Sequence, residues 1–236
     1  MKQASEELGI KEDVIRRDLG RVLLKLEEMQ DEQIKAALAP KEDVITMTDD
    51  ERADPMELLG VLRESGHEHF NGSIVIPVFN RSGEVVEMYG RKVTPNLREG
   101  TPNHLYLPGA HKGVWNEEAV AVSKELILCE SLIDALSFWS AGFRNVTASY
   151  GVNGFTADHR AAFEKHGTER VYIAYDRDEA GDKAAAALAV ELMQMGIECF
   201  RVMFPKGMDA NEYSLKVQPA AKSFGVLLIG IDTDTG

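Results

Sequence analysis

Cysteine is nearly absent: the 236 residues contain two, Cys129 and Cys199. Both fall inside apolar runs of strand length, so a disulfide framework and a cysteine-rich zinc site are excluded, and both read as buried thiols. Long apolar runs are missing too. No window approaches the ~20 apolar residues of a membrane span, and the opening Met-Lys-Gln-Ala-Ser-Glu-Glu lacks the apolar stretch of a secretory signal, so a cytoplasmic protein outside the membrane is expected. Basic residues are in deficit, 26 Lys and Arg against 39 Asp and Glu, which leaves a net charge of −13. A uniformly acidic surface repels a nucleic-acid backbone, so any such contact must be local. The deficit is in fact uneven. Residues 1–69 carry 10 basic and 18 acidic side chains, whereas residues 71–116 carry Arg81, Arg91, Lys92, Arg98 and Lys112 against Glu84, Glu87 and Glu99. A locally positive strip of that kind suits phosphate tracking.

The stretch from Leu126 to Ala184 organises the chain. Two apolar runs of strand length, Leu126 to Cys129 and Val171 to Tyr175, each end in a carboxylate, Glu130 and Asp176, and each precedes a segment of helical period. Strands and helices alternate from Leu126 to Met203, with helices over Leu132–Ala141, Thr156–Lys165 and Gly181–Met195 and further strands over Asn145–Ser149 and Ile197–Met203. Such alternation with short connections predicts an α/β fold, a parallel sheet with helices on both faces. In an open sheet of that kind ligands bind at the carboxyl ends of the strands. Glu130, Asp176 and Asp178 therefore meet in one crevice, where three acids stay ionised together only around a cation. Hard oxygen donors in that number predict Mg²⁺ or Mn²⁺. Asp209, after the last strand, is either an outer metal ligand or the N-cap of the helix that follows. Asp134, one helical turn beyond Glu130, is an outer acid of the site or a helix-surface charge. Asp182 stands in the same relation to Asp178, as an outer acid or a partner of its own helix dipole.

Ahead of this region lie three simpler segments. Residues 1–38 carry apolar side chains at three- and four-residue steps and predict helices, with the spacing of a helix-turn-helix around Gly9; residues 40–57 are an acidic linker. Ser73–Phe79 and Glu84–Val93 form a hairpin about Asn80-Arg81-Ser82-Gly83, followed by a short strand over His104–Leu107. His67 and His69 have no third metal ligand near them in the sequence.

At these residues the sequence resembles a known family. The lone Glu130, the Asp176-Arg177-Asp178 triplet and the Ala180-Gly181 pair opening the next helix are similar to the TOPRIM domain. Ala148-Ser149-Tyr150-Gly151, Asp176 to Asp182 and Lys206-Gly207-Met208-Asp209-Ala210-Asn211-Glu212 resemble more narrowly its bacterial-type DNA primase branch, particularly the primases of phages, plasmids and other mobile elements. Ile74 to Phe79, Gly90-Arg91 and His104 to Gly109 are similar to the segment that precedes TOPRIM there, and the resemblance runs from about Asn71 to Leu228. It implies a small mixed β-rich primase-core subdomain over 58–122, TOPRIM over 123–217, a C-terminal extension over 218–236 and a helical segment with linker over 1–57. It implies a nucleotidyltransferase making short RNA primers in DNA replication, with single-stranded DNA and NTPs as substrates and a replicative helicase or other replisome protein as a partner. Glu130, Asp176 and Asp178 would be catalytic, and Arg91 and Lys112 would bind phosphates or template. A TOPRIM nuclease or topoisomerase and a non-catalytic adaptor are the competing readings. Ser131 and Asn211 depart from the family's usual glycine and aspartate, and Cys129 and Cys199, both within strand-length runs, do not supply the cysteines of a zinc-ribbon module.

Overall fold

The computed structural model describes residues 60–63 and 65–232. The helices and helix-turn-helix expected over 1–38 and the linker over 40–57 lie outside the described residues.

Two sheets make the frame. The first is antiparallel, in the order β1 (Ser73–Phe79), β2 (Val85–Lys92) and β3 (His104–Tyr106). Its hairpin closes as the sequence predicts: Asn80 Oδ1 accepts from the Glu84 amide at 3.0 Å, and Gly83 supplies the positive φ of +81° that the turn needs. The second sheet is parallel, in the order β5-β4-β6-β7, with β4 at Glu125–Cys129, β5 at Val146–Ala148, β6 at Arg170–Ala174 and β7 at Glu198–Arg201. Its helices are α1 (Glu117–Val122), α2 (Leu132–Ser140), α3 (Ala157–His166) and α4 (Glu179–Gln194). Helices α5 (Ala210–Lys216) and α6 (Ala220–Asp232) follow β7. Among the described residues no helix is long and apolar enough to cross a membrane.

Alternation along the central strands sorts the core into two layers. Ile127, Cys129, Tyr172 and Ala174 face α2, α5 and α6, and the same cluster takes in Val78 and Tyr89 from the antiparallel sheet. Leu126, Leu128, Val171, Ile173 and Tyr175 face the other way, onto Phe163 of α3 and Leu188 and Leu192 of α4. Both faces of the central strands are buried, which is why they read as unbroken apolar runs. The α2 layer is closed by Phe138 and Phe224, stacked with ring centroids 4.0 Å apart. The segment 218–229, readable as helix or strand from its apolar content, is helical because α6 seats Phe224 there.

Two boundaries bear on the site. Strand β6 stops at Ala174, one residue short of the expected Val171–Tyr175 run, so Asp176 and Asp178 occupy the loop after it. Strand β7 spans only Glu198–Arg201, inside the expected Ile197–Met203.

Candidate metal and phosphate site

The loop after β4 and the N-terminus of α2 set the first two acids. Glu130 leaves the strand half-buried, and its Oε2 accepts from the Asp176 amide at 3.4 Å, across the β4–β6 gap. Ser131 caps α2: its hydroxyl accepts from the Asp134 amide and donates to Asp134 Oδ2 at 2.5 Å. Ser131 thus holds an acid. Asp134 is buried, 3% exposed, and its Oδ1 accepts from the Asn211 amide of α5 at 3.0 Å. It is therefore not a helix-surface charge. Asn211 also donates from its side chain to Ser137 Oγ at 3.2 Å, so the asparagine ties α5 to α2.

The other acids come from helix starts. Asp178 caps α4, its Oδ1 accepting from the Gly181 amide at 2.7 Å, and Asp209 caps α5, its Oδ1 accepting from Glu212 at 2.6 Å. Gly181 is required by close approach. A Cβ there would stand 2.4 Å from the Asp176 carbonyl oxygen, so only glycine lets α4 begin against that loop. Asp182 turns elsewhere, pairing with Arg177 at 3.2 Å and Arg201 at 3.0 Å.

Five carboxylates thus face one another electrostatically: Glu130, Asp134, Asp176, Asp178 and Asp209. Burial first, then the charges of Asp134, Glu130, Asp209 and Asp178, push the Asp176 carboxyl up to about 8. Asp134 is also raised, by burial and then by Asp209. Glu130 is raised by burial, against the pull of the Asp176 amide. The arc is open, since among the described residues no three His, Cys, Asp or Glu side chains already close on one point. All-oxygen donors with unrelieved mutual repulsion fit hard dications that keep part of their water shell and take protein carboxylates together with phosphate oxygens.

A polar chain links this arc to the basic strip. The Gly151 amide donates to the Glu130 carbonyl at 2.9 Å, and the neighbouring Tyr150 hydroxyl donates to the Lys112 carbonyl at 2.6 Å. The Tyr150 ring stacks on His111 at 4.6 Å, and His111 Nδ1 is bonded at 2.9 Å to Glu87, a carboxylate 2% exposed. Glu87 also accepts from the Met88 and Leu107 amides, which fixes the loop bearing the exposed Lys112. Arg91 on β2 donates to His104 Nε2 at 2.7 Å, leaving the His104 Nδ1 proton for Tyr89 Oη at 2.9 Å. Burial and then Arg91 push His104 down to about 4, so it is neutral. Arg98 is exposed, but Arg81 is tied to Glu117 at 2.8 Å and bonded to His166.

Sequence reasoning missed two residues, Glu87 and Arg201. Glu87 sits in Val-Val-Glu-Met-Tyr, where a buried acid has no local signature. Arg201 closes the run Glu-Cys-Phe-Arg, and a charge ending an otherwise partly apolar strand was its one available signal.

A parallel sheet in this order, with carboxylates gathered at its carboxyl edge, defines a Toprim-like domain, and residues 127–214 match the model of the Toprim-like family. Beyond that domain the chain is similar to DNA primases. It is 32% identical over 149 residues to the DNA primase of Aquifex aeolicus, a match covering 59% of this chain and 29% of that one. It is 27% identical over 158 residues to that of Staphylococcus aureus, covering 63% and 25%. The chain thus spans about a quarter of the length of these curated relatives. Among solved structures it is similar to the zinc-binding and RNA polymerase domains of the Aquifex aeolicus primase, with TM-score 0.58 and 26% identity, covering 70% of this chain and 41% of the other.

Proposed function

We propose that this chain carries the catalytic core of a metal-dependent nucleotidyltransferase that makes short RNA primers on single-stranded DNA. The observation that carries the reading is the contact path from Glu130 through Gly151 and Tyr150 to Lys112, which sets an acidic arc beside a basic strip. Phosphoryl transfer needs both, one to hold cations and one to hold phosphates. Glu130, Asp176 and Asp178 would hold Mg²⁺ or Mn²⁺, with Asp209 as a further ligand and Asp134 behind them. A dication bound there supplies charge neutralisation for the triphosphate and acidifies the attacking 3′-hydroxyl. The chain's own residues do the positioning. Asp134, pinned by Ser131 and Asn211, keeps α2 and α5 in register so that Glu130 and Asp209 face each other. Arg91 and Lys112 bind template or triphosphate oxygens, and Glu87 with His111 steadies the loop that presents Lys112.

Primer synthesis from labelled NTPs on single-stranded DNA, with and without Mg²⁺ or Mn²⁺, tests the proposal. Product that depends on the cation and disappears in Glu130→Gln is expected. Cation-dependent binding of DNA with no product under any condition would leave an adaptor instead.

A further inference from the structure

We infer that Arg201, on the outer strand of the parallel sheet, is a positioning residue for the acidic loop, acting through backbone carbonyls and not through its charge. The inference rests on the metal site proposed above. Arg201 ends β7, the edge strand, and its side chain reaches the carboxyl end of the neighbouring β6 and the loop that follows. Its Nη1 donates to the Ile173 and Tyr175 carbonyls at 3.1 and 2.8 Å, and its Nη2 donates to the Asp176 carbonyl at 2.7 Å and to Asp182 Oδ1 at 3.0 Å.

Those three carbonyls belong to the residues where β6 stops pairing. Val202 still donates to the Ile173 carbonyl at 2.9 Å, but β7 has ended and offers nothing further to Tyr175 or Asp176. The guanidinium fork continues the ladder where the strand no longer can. It fixes the peptide planes on either side of Asp176 and thereby the direction of that carboxyl. From the other side the same loop is held by the Asp176 amide on Glu130 and by the abutment of Gly181. Arg177 cannot take over this work. Its Nη1 is spent on Asp182 and Met203 Sδ, and its Nε is buried without a hydrogen-bond partner among the described residues.

Charge and geometry predict opposite outcomes for dication binding. A guanidinium beside the arc repels a dication, so an electrostatic role alone means that Arg201→Gln tightens binding. A positioning role means that it weakens it. Lysine separates the two again, because it keeps the charge but is a point donor that cannot span three carbonyls as a planar fork does.

The test is Mn²⁺ affinity of the full chain, by water-proton relaxation or calorimetry, in the parent, Arg201→Gln, Arg201→Lys and Asp182→Asn, with thermal melts alongside. At least fivefold weaker binding is expected in both Arg201 variants. Binding within twofold of the parent is expected in Asp182→Asn, which leaves the carbonyl bonds in place. Unchanged or tighter binding in Arg201→Lys or Arg201→Gln overturns the inference. Should neither Arg201 variant keep a cooperative melt, the Arg201 Nη resonances of the ¹⁵N-labelled parent decide. Nη signals protected from solvent exchange that shift on Mg²⁺ titration support the role, and signals indifferent to Mg²⁺ overturn it. A parent that binds no Mn²⁺ removes the metal site itself and this inference with it, whereas a parent that binds beside an equal Arg201→Lys removes the inference alone.

Discussion

Asp176 and Asp134 are carboxyls held in the folded protein above the ordinary value near ~3.9, the first by burial and four neighbouring acids, the second by burial and Asp209. A raised carboxyl binds its proton more tightly in the folded state than in the unfolded one. Between about pH 4 and pH 8 the folded state therefore holds more protons, and stability falls as pH rises through that window. Without divalent metal, the melting temperature should drop between pH 5 and pH 8, and Mg²⁺ should restore it at the upper end by neutralising the repulsion. Scanning calorimetry in EDTA and in millimolar Mg²⁺ reads this directly, and a metal-free melt that rises with pH contradicts it. Asp134→Asn keeps the size and most hydrogen bonds of the side chain, so it should raise the metal-free melt at pH 8 and leave it nearly unchanged at pH 5. At this scale the sequence was informative where a residue broke a pattern. Glu130 and Asp176 were legible because acids end apolar runs. Asp134 and Asp182 were not separable, each lying four residues beyond a site acid, because the difference comes from tertiary partners: an Asn211 amide for one, and Arg177 and Arg201 for the other.

Helix α4 shows what an element adds to its residues. Its first turn joins three requirements: the Asp178 cap, the missing Cβ of Gly181 and the Asp176 loop against which both rest. Asparagine caps a helix about as well as aspartate, whereas alanine loses ~1 kcal/mol. Asp178→Asn should therefore keep the melting temperature and weaken Mn²⁺ binding, while Asp178→Ala should lose both. Equal destabilisation by the two variants would show that the carboxylate charge, not the cap, holds the helix. Gly181→Ala should do more damage than the helix propensity of alanine suggests. Alanine is ordinarily the better helix former, but here its methyl meets a backbone oxygen. The expected result is a lower melt together with weaker Mn²⁺ binding, and a stabilised Gly181→Ala protein would remove the close-approach argument. Elements of this length were readable from periodicity, since β4 and β6 are continuous apolar runs and α4 has its apolar stripe at Ala185, Leu188 and Leu192. The ends were not, because capping decides them: with Asp178 as its cap, α4 begins at Glu179, two residues ahead of the expected start at Gly181.

At the scale of the whole molecule, a net charge of −13 opposes DNA binding at long range, so affinity must come from a few cations that meet phosphates at short range. Salt dependence counts them. Each phosphate contact to a single strand contributes about 0.7 to the slope of log affinity against log salt. Arg91 and Lys112 differ here from Arg81, which is already neutralised by Glu117. Arg91→Ala and Lys112→Ala should each weaken single-stranded DNA binding and flatten the slope by about 0.7, while Arg81→Ala should change neither by a comparable amount. Fluorescence anisotropy across a series of salt concentrations, at constant Mg²⁺, measures all three. The Arg91 variant has a further consequence, because its guanidinium is what bonds His104 on the neighbouring strand. A loss confined to affinity, with the parent slope intact, would mean that Arg91 orders the β2–β3 edge and does not touch phosphate. A flattened slope in Lys112→Ala alone would then place the nucleic-acid path along the Leu107–Gly113 loop, beside Tyr150 and Glu130, rather than across the face of the antiparallel sheet.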